Sequence, residues 1–295
     1  MSNQATMNII GCGRLGKTLA YLWRINQVVQ VQGVMNRSVS SGQAAIDFIG
    51  AGTACAPGEL LPADFTMITT GDSAIEDCAS QLAGCGILRP GDIVFHCSGA
   101  LGSDILTVVQ ACGALVASVH PIKSFAEPAS AAASFGGTFC GIEGDPAATV
   151  RLTPLFESIG GMPLPLRSET KPLYHAGMAI SANFLVTLLQ WGLDTLEQAG
   201  LPPAAGIKML EPMVRNTVDN IFALGPAKAL TGPIARRDEA TVSRHIEALR
   251  AWHPELAKLY RDLGRKTLEL AQSHSSALPA QEQAMERLLE NKGDQ

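Results

Sequence analysis

Between Met7 and Leu166 short apolar runs alternate with amphipathic stretches of helical period, and this alternation restricts the chain more than any other feature. Strands that recur only after a helix pair in parallel and need helices over both faces of their sheet. The apolar runs lie near residues 7–11, 29–35, 65–70, 93–97, 115–120 and 138–142. The helical stretches between them lie near 15–24, 41–48, 73–82, 103–111 and 147–158. The expectation is α/β: a doubly wound domain over residues 1–166 whose strand carboxyl ends line a ligand crevice. The Pro-rich segment MPLPLRSETKP breaks the rhythm, which puts the boundary near Arg167. Residues 167–295 read as an all-α domain, with helices over 172–198, 203–222, 238–251, 254–272 and 280–290. At 295 residues, two domains is the natural division.

The segment NIIGCGRLGKTLA sets Gly11, Gly13 and Gly16 between the first apolar run and the first helix, the context in which a G-x-G-x-x-G pattern has meaning. Gly11 permits a tight turn, Gly13 lets backbone approach a pyrophosphate, and Gly16 allows helix-on-strand packing. Amides of the first turn, through Arg14, Leu15 and Gly16, then face phosphate. Arg14 is either a further phosphate contact or a solvated residue. The second run ends in Asn36, Arg37 and Ser38, where a domain that prefers NAD carries an acid for the ribose hydroxyls. A guanidinium there, with Ser38, Ser40 and Ser41 nearby, favours NADP over NAD, the alternative being that Arg37 is a plain turn residue.

Polar residues also close the later runs: Thr70 and Gly71, then His96, Cys97, Ser98 and Gly99, then His120 and Lys123. Thr70, Gly71, Ser98 and Gly99 are candidates for lining the cofactor. His96 and His120 are either groups that orient substrate or neutral histidines supporting loops. Lys123 is an anion anchor or solvated, and Cys97 a buried small hydrophobe rather than a nucleophile. In KPLYHAGMAISANFLVTLL, Lys171, His175, Ala179 and Asn183 recur every fourth residue and form one helical stripe. Beyond it Leu185, Leu188, Leu189, Trp191, Leu193 and Leu196 read as a buried face.

The segments GCGRLG, HCSGALG, HPIKSF, YHAGMAISANF and GPAKALTGPIARRD together resemble a two-domain family in which a Rossmann-like domain precedes a helical domain of unknown function. That family is related to pyrroline-5-carboxylate reductase, ketopantoate reductase, prephenate dehydrogenase and the 6-phosphogluconate dehydrogenase-like enzymes. The resemblance spans nearly the whole chain. It implies an NADP-dependent oxidoreductase that dimerises through its helical domain. HPIKSF is similar to the His-Pro loop of prephenate dehydrogenases, without the rest of their pattern. Lys171 and Asn183 are similar in placement to the lysine and asparagine that ketopantoate reductases and hydroxyacid dehydrogenases carry early in a comparable helix.

The resulting expectation is hydride transfer between NADP(H) and a small carboxylate-bearing carbonyl or imine, the alternative being a non-catalytic NADP(H)-responsive binding protein. His175 would move the proton, Asn183 would orient the carbonyl, and Lys171 or Arg236 would hold the acid group. Thr231 and Arg236 belong to a stiff TGPIARRD turn that suits an anion, while Asp238 suits the N-cap of the next helix.

Composition narrows the partners. A net charge of -5 with 17% charged residues offers no basic face for nucleic acid. Seven scattered cysteines show neither disulfide nor metal-ligand spacing, so no metal is expected and a reducing, cytoplasmic setting is. No stretch reads as long enough to cross a bilayer, and no secretory leader is evident.

Overall fold

A computed structural model of the protein describes residues 4–56, 58–272 and 278–290. The chain forms two compact units, Met1–Val186 and Thr187–Gln295. The first carries strands β1 (Ala5–Ile10), β2 (Val29–Met35), β3 (Thr53–Cys55), β4 (Phe65–Ile68), β5 (Ile93–His96), β6 (Leu115–Pro121), β7 (Phe139–Gly144) and β8 (Met162–Pro165). Between them run helices α1 (Arg14–Ile25), α2 (Val39–Ile49), α3 (Ile75–Gly84), α4 (Thr107–Gln110), α5 (Pro128–Ala133) and α6 (Pro146–Glu157). After β8 come α7 (Lys171–Met178), a π-helical turn at Ala179–Asn183, and α8 (Phe184–Gln198), which crosses into the second unit.

The strands form one sheet in the order β3-β2-β1-β4-β5-β6-β7-β8. The pairings from β3 through to β6 are parallel, so the doubly wound expectation holds there. Strand β7 pairs with β6 antiparallel, because the segment between them holds only the short α5 instead of a crossover helix. The Pro-rich segment, expected to end the sheet, is instead its edge strand: β8 pairs parallel with β7. The amides of Met162 and Leu166 donate to Thr138 and Ile142, each at 2.8 Å. Pro163 and Pro165 fall on the alternate positions, where an edge strand needs no donor. Apolar side chains fill both faces of the sheet. Trp23, Phe95, Leu152 and Phe156 pack on one, and Ile68, Ile75, Val94 and Leu106 on the other.

The second unit holds the rest of α8 and α9 (Pro203–Leu224), α10 (Pro226–Ala229), α11 (Glu239–Trp252), α12 (Pro254–Gln272) and α13 (Pro279–Leu289). Its core, built on Val242, Ile246, Leu268, Met285 and Leu289, lies among α11, α12 and α13. Among the described residues the buried face expected along α8 is not completed: Leu189, Leu193 and Leu196 are only half-buried. No residue of α8 is buried and only Gly206 of α9 is; Leu185, Leu188 and Trp191 are 38%, 41% and 37% exposed. An amphipathic stripe shows which face seeks cover but not which molecule supplies it.

A second correction concerns length. The continuous helical run Ser168–Gln198 has 31 residues and holds an 18-residue window of mean hydropathy 1.3, which by length and composition alone is enough to cross a membrane. Lys171 and His175 near its start disguise it in the sequence. Lys171 also ties its first turn to the sheet, through an ion pair with Glu143 of β7.

Candidate active site

The glycine loop occupies the carboxyl end of β1, and its three glycines are required for different reasons. Gly11 has φ +78° and its amide donates to Met35 O at 2.8 Å; a Cβ there would lie 2.2 Å from Thr70 Cγ2. A Cβ on Gly16 would lie 2.5 Å from Thr69 Oγ1, so close packing of α1 on the strand ends excludes one. Gly13 differs. Its φ is -82°, and the nearest atom to an added Cβ is Gly11 O at 3.9 Å, so the fold itself has no need of glycine there.

Above Gly13 the N-terminus of α1 stands open. No side chain caps it, no acid lies in its first turn, and the first intrahelical bond is Lys17 N to Gly13 O. The amides of Arg14, Leu15 and Gly16 are therefore the unpaired donors that suit an anion. Arg14 is exposed, and the Leu15 side chain is half-buried against the sheet's core. Thr70 Oγ1 is buried beside Gly11 without a well-formed hydrogen bond, its polar neighbour being the Cys78 thiol, while Gly71 is exposed with open space around it. A dinucleotide's diphosphate fits this arrangement of open donors and missing Cβ.

At the end of β2, Asn36 Oδ1 accepts from Cys12 N at 2.6 Å and so fastens the loop between the glycines. Ser38 caps α2 by accepting from Ser41 N, and also bonds the hydroxyls of Ser40 and Ser41 at 3.1 Å. Arg37 is exposed beside them. The residues expected to read the adenosine ribose thus stand next to the glycine loop, with Asn36 and Ser38 shaping backbone and Arg37 projecting.

Farther along the sheet the candidates separate. His96 is fully buried; its Nδ1 accepts from Ser98 N at 3.1 Å, so Nε2 carries the proton and donates to Gly102 O at 3.0 Å. Burial pushes its pKa down to about 4, so the ring is a neutral pin for the 97–102 loop. Ser98 Oγ accepts from the amides of Ala100 and Leu101 and turns that loop. Cys97 is buried, and burial raises its thiol pKa far above the thiolate range. Lys123 donates to Ser134 O at 2.8 Å, which engages its ammonium locally.

Lys171 is fully buried. Its Nζ donates to Ser98 O at 3.0 Å, to Ser118 Oγ, and to Glu143 Oε1 at 3.5 Å. Glu143 in turn accepts from the amide and hydroxyl of Ser103 at 2.9 and 2.8 Å. All three ammonium protons have partners, joining the loop after β5, the middle of β6, strand β7 and the first turn of α7. Burial lowers the Lys171 pKa, opposed chiefly by the Glu143 charge.

The remaining groups converge on Gly99. A Cβ there would lie 2.6 Å from His175 Cδ2 and 2.9 Å from His120 Nε2, so both imidazoles close over a position that must be glycine. The two rings meet edge to face at 6.0 Å, and His120 Nδ1 shares a 2.8 Å hydrogen bond with Tyr174 Oη. Burial pushes the His120 pKa down to about 4, with His175 and Lys171 adding to the shift and Asp72 opposing it. Burial likewise raises the Tyr174 phenol to about 12. Along the stripe of α7, Lys171 is buried, His175 half-buried and Asn183 exposed on the π-helical turn.

In the second unit, Thr231 and Arg236 are exposed, whereas Arg237 is buried at φ +57° and paired with Glu282. Asp238 caps α11 as its position suggests, accepting from Thr241 N at 3.1 Å. An apolar groove of about 940 Å³ also lies here, lined by Leu188, Trp191, Leu210, Trp252, Leu256 and Tyr260 among others.

Sequence reasoning passed over Tyr174, Ser118 and Glu143. Their signals were present: an acid in the apolar strand FCGIEG, a hydroxyl in LVASVH, and a tyrosine three residues after Lys171 on the same helix face.

The comparisons agree with this architecture. Residues 2–121 match the Rossmann-like domain, and residues 138–267 match the family described as Domain of unknown function (DUF2520). No curated protein matches the chain. A Bacteroides fragilis protein provisionally described as an NADP oxidoreductase shares the fold with TM-score 0.75 and 20% identity, over 90% of this chain and 98% of that one. Protein TM1727 from Thermotoga maritima does so with TM-score 0.71 and 22% identity, over 90% and 98% of the two chains. A pyrroline-5-carboxylate reductase from Coxiella burnetii aligns with TM-score 0.56 and 14% identity, over 93% and 100%. At these identities the likeness is one of fold.

Proposed function

The chain joins a Rossmann-like domain to a DUF2520 domain, and from that premise we propose that it is an NADP(H)-dependent oxidoreductase acting on a small carboxylate-bearing carbonyl or imine. The observation that carries this reading is the open first turn of α1 above Gly13, a position whose glycine serves an approaching ligand rather than the fold. The names of two structural relatives, an NADP oxidoreductase and a pyrroline-5-carboxylate reductase, point the same way.

Bound NADPH would supply a hydride to the carbonyl or imine carbon. The amides of Arg14, Leu15 and Gly16 hold the diphosphate, and Arg37 with Ser38 and Ser40 holds the ribose phosphate in place of the missing acid. Thr70, Gly71, Ser98 and Gly99 line the nicotinamide side at the strand carboxyl ends. His175, whose ring edge at Cδ2 closes on Gly99, delivers or receives the proton. Asn183 orients the substrate oxygen. Lys171 has every proton committed, so it holds the strand ends together instead of binding the substrate's acid group. Arg236, exposed in the second unit, is a candidate anion ligand there.

The protein works as a homodimer in this reading. Two apolar helices bury almost nothing within one chain: Phe184 is 56% exposed and Phe222 87%. Seven free cysteines support a reducing, cytoplasmic setting.

The test is NADPH oxidation against a panel of 2-keto acids and cyclic imines, with His175→Ala and Asn183→Ala alongside. Loss of about a hundredfold in turnover for His175→Ala, with NADPH affinity held within about twofold, is the expected outcome. NADPH binding with no acceptor in the panel would favour a nucleotide-responsive binding protein instead.

A further inference from the structure

Tyr174 lies outside the assigned machinery, yet it makes the one directional contact to His120. Among the described residues the only hydrogen bond of its Oη is the 2.8 Å contact to His120 Nδ1, and the rings meet edge to face at 5.7 Å. A neutral imidazole carries one N–H and one lone pair, so whichever group bonds Nδ1 decides what Nε2 offers. The phenol has a proton that needs an acceptor, and Nδ1 is the acceptor within reach. The ring turns its Cε1–Nε2 edge to Gly99, with Nε2 at 2.9 Å from the position of an added Cβ, where the carboxyl ends of β5 and β6 meet His175.

We infer that Tyr174 is a positioning residue that fixes His120 as the Nε2–H tautomer, so that His120 presents a permanent neutral hydrogen-bond donor toward the strand-end site. Such a donor suits a lone pair on the substrate, which a carbonyl oxygen or an unprotonated imine nitrogen has and an iminium nitrogen lacks. The class selected is therefore carbonyl compounds and neutral imines. This use of the donor rests on the oxidoreductase reading; the tautomer does not.

The surroundings favour a ring that stays uncharged. His175 and Lys171 oppose a proton on it, and Asp72 is the one charged group that favours one. The Tyr174 phenol remains protonated well beyond neutral pH. His96, one strand away, shows the same fixed tautomer by the same geometry, with a backbone amide in place of the phenol.

The test uses the full-length protein labelled with 15N-histidine and without nucleotide, followed by long-range 15N–1H correlation from pH 5 to 8, with His120→Gln identifying the signals. The expected spectrum has Nδ1 unprotonated and Nε2 protonated at every pH. Tyr174→Phe should convert much of that signal to the other tautomer or to the protonated ring. It should also lower turnover about tenfold or more at unchanged NADPH affinity, since a misassigned tautomer is costly in histidine catalysis. An Nδ1–H signal in the wild type overturns the inference even if the variant does not fold, as does a spectrum that Tyr174→Phe leaves unchanged. Failure to find any hydride acceptor would defeat the oxidoreductase reading and leave these spectra standing.

Discussion

Lys171 and Leu188 belong to one continuous helical run, yet the lysine is fully buried and the leucine is 41% exposed. The contrast separates two regions. At the strand ends, polar groups are buried because each has a partner within the same chain, as in the set formed by Lys171, Glu143, Ser118 and Ser98. Along α8 and α9, apolar groups are exposed because the described residues offer them no full cover. The strand ends are therefore satisfied within one copy, while the two helices carry an apolar face that is left open; a second copy covering it belongs to the proposed homodimer.

The largest expected effect breaks the complete region. Lys171→Ala leaves Glu143 as a buried, unpaired charge and should cost about 3–5 kcal/mol, read by urea unfolding. Lys171→Met combined with Glu143→Leu should recover most of that loss. If Lys171→Ala costs nothing, the network is not the anchor described.

Next in size is the incomplete region. Phe184→Asp with Leu188→Asp places charges on the bare face and should weaken self-association at least about a hundredfold, near 3 kcal/mol. Sedimentation should then show monomer, with the first unit still folded. A wild type that is already monomeric would remove the contrast.

The third prediction concerns pH. Folded His96 has a pKa near 4 against 6.5 when unperturbed, so between those values the unfolded chain binds the extra proton. Its contribution to stability is complete above about pH 6.5 and is lost as pH falls toward 4. Between pH 7 and 5 the loss amounts to about 2 kcal/mol, and His96→Gln should flatten that part of the decline in unfolding free energy. His120 should add a smaller share of the same sign, being partly exposed.

The smallest effect tests cofactor choice. Arg37→Ala should weaken NADPH binding by about tenfold, 1.4 kcal/mol, and leave NADH binding unchanged. Equal losses for both nucleotides would count against a phosphate contact.

Much of this could be read from the residues. The strand–glycine–helix segment announced its own geometry, since NIIGCGRLG contains the turn, the approach and the packing contact in order. The Lys171, His175 and Asn183 spacing named one helix face, though not that the face would run from fully buried to exposed. What escaped depends on partners distant in sequence. Glu143 lies 28 residues from Lys171, and His120 lies 54 from Tyr174. Strand β8 escaped for another reason: proline disfavours strands, and only its place at the sheet's edge makes Pro163 and Pro165 acceptable. Periodicity marked α8 as apolar on one face but carried no information on whether that cover lies in the same chain.

The most direct test is NADPH titration of the wild type and of Gly13→Val by calorimetry. A Cβ at Gly13 meets nothing closer than 3.9 Å, so the variant should fold as before while its side chain obstructs the first turn of α1. Saturable binding by the wild type, weakened about a hundredfold or more in the variant, is the predicted result. No binding of either reduced or oxidised nucleotide by the wild type, or equal binding by both proteins, would contradict the account.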